Sequence, residues 1–321
     1  MAHIPSRPAG TRGRGAAHSA VAAAAALVVA AAYAAPLGAQ TRQPEATSLS
    51  GRALHPPDPL PNREQLERDL ALAESVADPT TPEAVIWRGR RQAYLWRYTD
   101  AIETFTQGIA RHPTDARLYR HRGHRFITTR QFAMAQADLE RAAALVQGRP
   151  DEVEPDGQPN AAGVPRTTLQ FNIWYHLGLA HYLQGHYEQA LEAYTRCLAV
   201  SNNDDARVAT SDWLWMTLMR LDRRDEAARV LTHISPQMDI LENASYHRRL
   251  LMYKGELAPE ALLETGTADE TTIATQGYGV ANYYAVTGRP EMARALYERI
   301  VAGAGWNAFG YIAAEADLHR R

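Results

Sequence analysis

Small apolar residues return along this chain at nearly constant intervals. Ala101, Ala135, Ala190, Ala227, Ala261 and Ala293 are separated by 34, 55, 37, 34 and 32 residues. Between them, apolar positions fall three and four apart, the spacing that gathers side chains on one helix face. The pattern predicts two antiparallel helices per interval. Each pair is too thin to bury its apolar face alone and must stack on its neighbours. Alanine is required where the two helix backbones of a pair approach closely. The expected fold class is all-α: a right-handed superhelical solenoid of about six helix-turn-helix repeats over 82–304. A capping helix is expected at 62–81 and another at 305–321.

The units differ in clarity. The first runs from Pro82 to Thr114, with Gly89 facing the second helix, Ala101 and Phe105 between the helices, and Pro113 as the stop. Gly123 and Ala135 repeat Gly89 and Ala101 in register. The third unit is the most regular: Trp174-Tyr175-His176-Leu177-Gly178, then Gly185, Tyr187, Ala190, Tyr194 and Leu198. The fourth carries Trp215 at the glycine position but keeps Ala227 and Leu231. The fifth, Tyr246 to Leu263, is degenerate, and Pro259 starts its second helix. The sixth recovers with Tyr284, Gly288, Ala293 and Tyr297. The long second interval holds a loop, 147–165, with four prolines, three glycines and four acidic residues. It reads as a tolerated insertion rather than a lid. Asn62 is the expected cap of the first helix, with Leu66, Leu70 and Val76 on one face. Glu315, Asp317, His319 and Arg320 are expected to wet one side of the last.

The large-small order of the third unit resembles the tetratricopeptide repeat, and the resemblance extends over about 82–317. It implies a curved stack whose first helices line a concave groove for peptides or proteins. Trp213-Leu214-Trp215, the run Tyr253-Lys254-Gly255-Glu256-Leu257-Ala258-Pro259-Glu260-Ala261-Leu262-Leu263, and Ala281-Asn282-Tyr283-Tyr284 with Gly288 resemble NlpI-type lipoproteins. That resemblance implies a periplasmic adaptor that brings peptidoglycan hydrolases and a processing protease together. Those lipoproteins are anchored through a lipidated cysteine. Here the sole cysteine is Cys197, at a position where a small alanine is usual, and it reads as a buried filler.

Residues 1–39 read as a signal peptide. Arg7, Arg12 and Arg14 precede an Ala/Val-rich run, no acidic residue occurs before Glu45, and Leu37-Gly38-Ala39 resembles a cleavage site. The expected location is the periplasm, with an uncleaved inner-membrane anchor as the alternative. Residues 40–61 carry five prolines and read as an extended linker.

A net charge of −2 over 321 residues gives no global drive toward nucleic acid or membrane. Local charge is another matter: Arg88 to Arg130 holds ten arginines against Asp100, Glu103 and Asp115. The repeat register points the groove toward a candidate peptide-binding set: Arg90, Arg117, Arg120, His124, Asn172, Tyr175, Tyr182, Asp212 and Met216. Arg90, Arg117 and Arg120 are expected to converge on one end. Guanidinium forks pair with carboxylates, so the ligand would be an acidic segment or a peptide C-terminus; otherwise the cluster is a solvated surface. The tyrosines either contact a ligand or pack between repeats. The carboxylate clamp known in tetratricopeptide repeats is not reproduced, since its sites read Ile86, Arg90, His121, Asn172 and His176.

His121 and His124 share a helix face, while His176, His181 and His186 scatter around theirs, so no metal or cofactor is expected. No G-x-S-x-G, Walker, HExxH or CxxC motif occurs, and no catalytic residue or enzymatic activity is expected. The sequence therefore predicts an exported scaffold or adaptor of the bacterial cell envelope that holds a peptide or protein in its groove. An accessory module or subunit of a peptidoglycan, outer-membrane assembly or secretion complex is the alternative. Exposed terminal faces would permit a homodimer.

Overall fold

A computed structural model describes residues 43–264, 266 and 269–320; the leader at 1–39 lies outside them. A cap helix, α1 (Arg63–Glu74), is followed by six helical pairs: α2 (Pro82–Tyr94) with α3 (Tyr98–Arg111), α4 (Ala116–Thr128) with α5 (Phe132–Val146), α6 (Leu169–Gln184) with α7 (Tyr187–Val200), α8 (Asp204–Arg220) with α9 (Arg224–Val230), α10 (Ala244–Tyr253) with α11 (Pro259–Leu263), and α12 (Glu270–Val286) with α13 (Pro290–Ala302). A closing helix, α14 (Phe309–His319), ends the fold, and a short antiparallel hairpin, β1 (Ala46–Thr47) and β2 (Ala53–Leu54), precedes α1.

Each pair is written into local chemistry. Thr81, Asp115, Thr168, Asn203 and Asp269 cap α2, α4, α6, α8 and α12 by accepting a first-turn backbone N–H. The turn inside every pair places one residue at positive φ: Trp96, Arg130, Gly185, Asp222, Gly255 and Gly288. The following N–H then bonds back to the carbonyl five residues earlier, as in Gln131 to Phe126 at 2.8 Å and His186 to His181 at 2.9 Å. Three of these six residues are not glycine, and two of those serve the closure described below. Small residues hold the helices of a pair together. A Cβ on Gly178 would lie 2.6 Å from the Tyr194 ring, and one on Gly123 would lie 2.8 Å from Leu139.

Five of the six periodic alanines are fully buried; Ala261 is only half-buried. The fifth pair departs because α11 is a single turn, and Leu262 fills its core position instead. Val76 is exposed, whereas Leu70 packs with Leu60 and Leu95. Asn62 occupies the first cap position in a left-handed conformation, and its side chain caps nothing.

Two further expectations are corrected. The proline-rich stretch is not an extended linker over its described part. Leu54 and Leu60 are buried, the Leu49 amide donates to Glu315, and the Trp306 indole donates to the His55 carbonyl at 2.7 Å. The last helix has no wettable side over most of its length: Gly310 to Ala316 are all buried. An α-helix apolar on every face must be enclosed, and α14 is enclosed by the inner wall of the stack. It lies against α6, α12 and α13, with the Phe309 ring centroid 5.3 Å from His124 and 5.6 Å from His176. Its acids pair inward. Glu315 meets Arg130 at 2.8 Å, and Asp317 meets Arg220 at 2.6 Å and Arg320 at 3.1 Å.

Candidate functional site: the arginine end of the inner wall

The structure divides eight of the nine candidate residues into two groups and leaves Arg117 outside both. Tyr175, Tyr182, Asp212 and Met216 face inward as expected, but no groove remains there. The Tyr182 hydroxyl bonds to the Tyr278 hydroxyl at 2.9 Å and donates to Asn282 at 3.2 Å, which joins the third pair directly to the sixth. Tyr175 accepts from the Trp213 indole at 2.8 Å and donates to Tyr246 at 3.0 Å. Asp212 pairs with Arg249 at 2.8 Å with both side chains fully buried, and Arg249 also reaches the Met216 sulfur. These four are core residues, not ligand contacts. The cause is their own chemistry: an inner wall this rich in aromatics buries itself once α14 and α12 fold across it.

The other end, formed by α2 and α4, is covered differently. The 147–165 insertion is not a passive loop. It crosses the arginine cluster as a strap, and this reverses the reading of it as a mere insertion. An antiparallel bridge between Val153 and Thr168 pins the strap to the start of α6, with the Glu154 amide donating to the Thr167 carbonyl at 3.0 Å. The Glu154 carboxylate meets Arg120 at 2.9 Å and accepts from the Asn172 amide at 3.1 Å. Arg90 donates to the Pro155 carbonyl at 2.7 Å, and Arg91 donates to the Gly157 carbonyl at 3.0 Å. Asn160 and Arg166 tie the far end to Glu242 and Asp239.

Arg117 does not join this cluster. It is held by Asp115 at 2.7 Å and Glu83 at 2.8 Å. Arg125, absent from the expected set, does join. Beneath the strap lies a cavity of about 120 Å³ lined by Arg90, Tyr94, Arg120, His121, His124, Arg125 and Glu154, among others. Arg125 faces the Tyr98 and Tyr94 phenols rather than a carboxylate, and burial brings its pKa down to about 10. The Arg120 Nε and the His124 Nδ1 are buried without a hydrogen-bond partner among the described residues. Of the three guanidinium groups around this space, only Arg120 is paired with a carboxylate. Arg125 lies five positions from Arg120, about 140° around the helix, so the groove positions taken from the repeat register do not include it.

The histidines are part of the same electrostatic picture. Burial, aided by Arg120 and Arg125, pushes His121, His124 and His176 well below the usual imidazole range, so all three are neutral in the fold. The unfolded chain takes up these protons near pH 6.5 and the folded chain does not, so stability falls as pH drops below about 6.5. Each such proton contributes about 1.4 kcal/mol per pH unit. Burial also raises Asp212, to about 7, against the opposing pull of Arg249, and a carboxyl raised in the fold opposes the histidine trend wherever it titrates. The melting temperature is therefore expected to fall steadily from pH 7 to 5, and His176→Phe to flatten that slope. A flat profile in the unmodified protein would contradict the neutral cluster. Among the described residues, no group of three or more His, Cys, Asp or Glu side chains is placed to hold a metal ion.

Residues 171–204, the core of the α6–α7 pair, match the tetratricopeptide repeat family. The match covers the third unit. The other pairs keep the left-handed turn inside the pair, and all but the fifth keep a fully buried alanine between their helices. No curated protein matches the chain. Among solved structures it is similar to MamA, at 18% identity over 61% of this chain and 94% of that one, with a TM-score of 0.41. It is also similar to YrrB, described as a TPR protein with an unusual peptide-binding site, at 14% identity over 75% and 92% of the two chains, with a TM-score of 0.39.

Proposed function

We propose that this protein is an exported repeat scaffold of the bacterial cell envelope. It docks a protein partner by seating an acidic segment on Arg90, Arg120 and Arg125. The observation that carries this reading is the imbalance of charge at a partly enclosed surface: Arg90, Arg120 and Arg125 line one cavity, only Arg120 pairs with a carboxylate, Glu154, and Arg125 faces phenols alone. Paired N–H donors on a guanidinium fork suit carboxylates, and partial burial strengthens each bond. The leader-like 1–39 segment supports an envelope location. The likeness of the C-terminal half to NlpI-type adaptors points the same way.

A fluorescein-labelled decapeptide rich in Glu and Asp should bind the purified chain. Arg90→Ala, Arg120→Ala and Arg125→Ala combined should weaken it at least about tenfold, while circular dichroism stays helical. Raising salt from about 50 to 300 mM should weaken binding to the unmodified protein. Equal binding by the triple variant, or indifference to salt, would remove the electrostatic site. Periplasmic protein whose N-terminus begins at Gln40 would support export.

A further inference from the structure

The strap has the form of a ligand. Arg90 and Arg91 read its main chain through the Pro155 and Gly157 carbonyls, and Arg120 reads one side-chain carboxylate, Glu154. Nothing in those contacts requires the segment to belong to the same chain. The Glu154 side chain is 11% exposed and Arg120 is 9% exposed, so the seat is largely closed to a second ligand while the strap occupies it. Gly157 is itself part of the fit: a Cβ there would overlap the Tyr94 hydroxyl and lie 2.7 Å from Arg90. The strap does not saturate the site. Asp156 keeps one carboxylate oxygen buried without a hydrogen-bond partner among the described residues, and Arg120 Nε and His124 Nδ1 remain free beside Arg125.

We propose that residues 151–157 are a pseudo-ligand that occupies the docking site in cis, and that an extended acidic peptide from a partner displaces them. The partner's carboxylate takes the place of Glu154 on Arg120, and its main chain takes the bonds of Arg90 and Arg91. This rests on the docking reading above. A competitor richer in carboxylates than the strap has the advantage, because Arg125 is still without an anionic neighbour. The apparent affinity is lowered by the fraction of molecules whose strap is closed, so loosening the strap tightens binding without altering the site.

The test uses the full chain and a labelled peptide of the strap's own sequence, Asp-Glu-Val-Glu-Pro-Asp-Gly, measured by fluorescence anisotropy. Glu154→Gln weakens the strap's grip on Arg120 and should bind this peptide at least about tenfold more tightly than the unmodified protein. Asn160→Ala, which releases the distant tie to Glu242 and touches none of the docking arginines, should tighten binding in the same direction. It serves if Glu154→Gln folds poorly. Adding Arg120→Ala to Glu154→Gln should abolish the gain. Equal affinities for the unmodified protein and both loosened variants would overturn the cis occupancy while leaving the docking site standing. Absence of binding in every variant would overturn both.

Discussion

Arg130→Gly lowers the melting temperature by roughly 5–15 °C, even though glycine suits the backbone there. Arg130 sits at φ 64°, where an L-residue costs about 1 kcal/mol and glycine costs nothing. The side chain is kept because it closes the fold. Its Nε donates to Glu315 at 2.9 Å, its Nη2 to the Trp306 carbonyl at 2.8 Å, and its Nη1 to the Thr128 carbonyl. Removing it leaves Glu315, itself 6% exposed, as an uncompensated buried charge, which costs about 3–5 kcal/mol. Set against the backbone relief, the net loss is about 2–4 kcal/mol. Arg130→Ala loses the same pair and keeps the strain, so it should be worse than Arg130→Gly by about 1 kcal/mol. Denaturation of the two variants beside the unmodified protein checks the order. A glycine variant as stable as the parent would mean that α14 is not held by this pair. Trp96, the other bulky residue at a left-handed turn serving the closure, packs edge-on to Trp306 at 5.0 Å.

Arg249→Met has the second large effect. Arg249 and Asp212 are both fully buried and 2.8 Å apart, and the guanidinium lies near the faces of Trp213, Tyr246 and Tyr278. A Cβ on Gly279 would overlap the Arg249 side chain, so α12 carries glycine there to let it pass. Taking away one partner strands the other in a core that cannot hydrate it, at about 3–5 kcal/mol. Replacing both members with uncharged residues of similar size, Asp212→Asn with Arg249→Met, should recover much of that loss, since the pair itself offers little net stabilisation over an uncharged core. Urea melts of the single and double variants test this. A double variant no more stable than Arg249→Met would show that the cation contacts with the rings, not the ion pair, dominate.

The repeat architecture was legible because each unit needs small residues at fixed places. Gly89, Gly123, Gly178 and the buried alanines follow from backbone approach, which sequence spacing reports directly. What the spacing could not report was the path of the stack in space. Tyr182 and Tyr278 lie 96 residues apart and meet only because the inner wall curls until the third and sixth pairs touch. The enclosure of α14 leaves a trace in the continuous run Gly310 to Ala314, but Glu315 and Asp317 interrupt the apolar pattern beyond it. Both are acids whose partners, Arg130 and Arg220, are remote in sequence. The arginine cluster and the carboxylate chemistry it invites are visible in the sequence. The carboxylate that answers it, Glu154, lay in a loop read as inert, because its bonds to α4 and α6 depend on where the strap lands and not on any periodic pattern.

Hydrogen–deuterium exchange along the strap, with and without the seven-residue acidic peptide, probes the self-occupied docking site most directly. The Glu154 and Leu169 amides donate to the Thr167 and Glu152 carbonyls, so both should exchange slowly in the free protein. Saturating peptide should speed exchange at these two amides while the amides of α14 stay protected. A bound peptide that leaves the strap amides as slow as before, or that opens α14 instead, would contradict it.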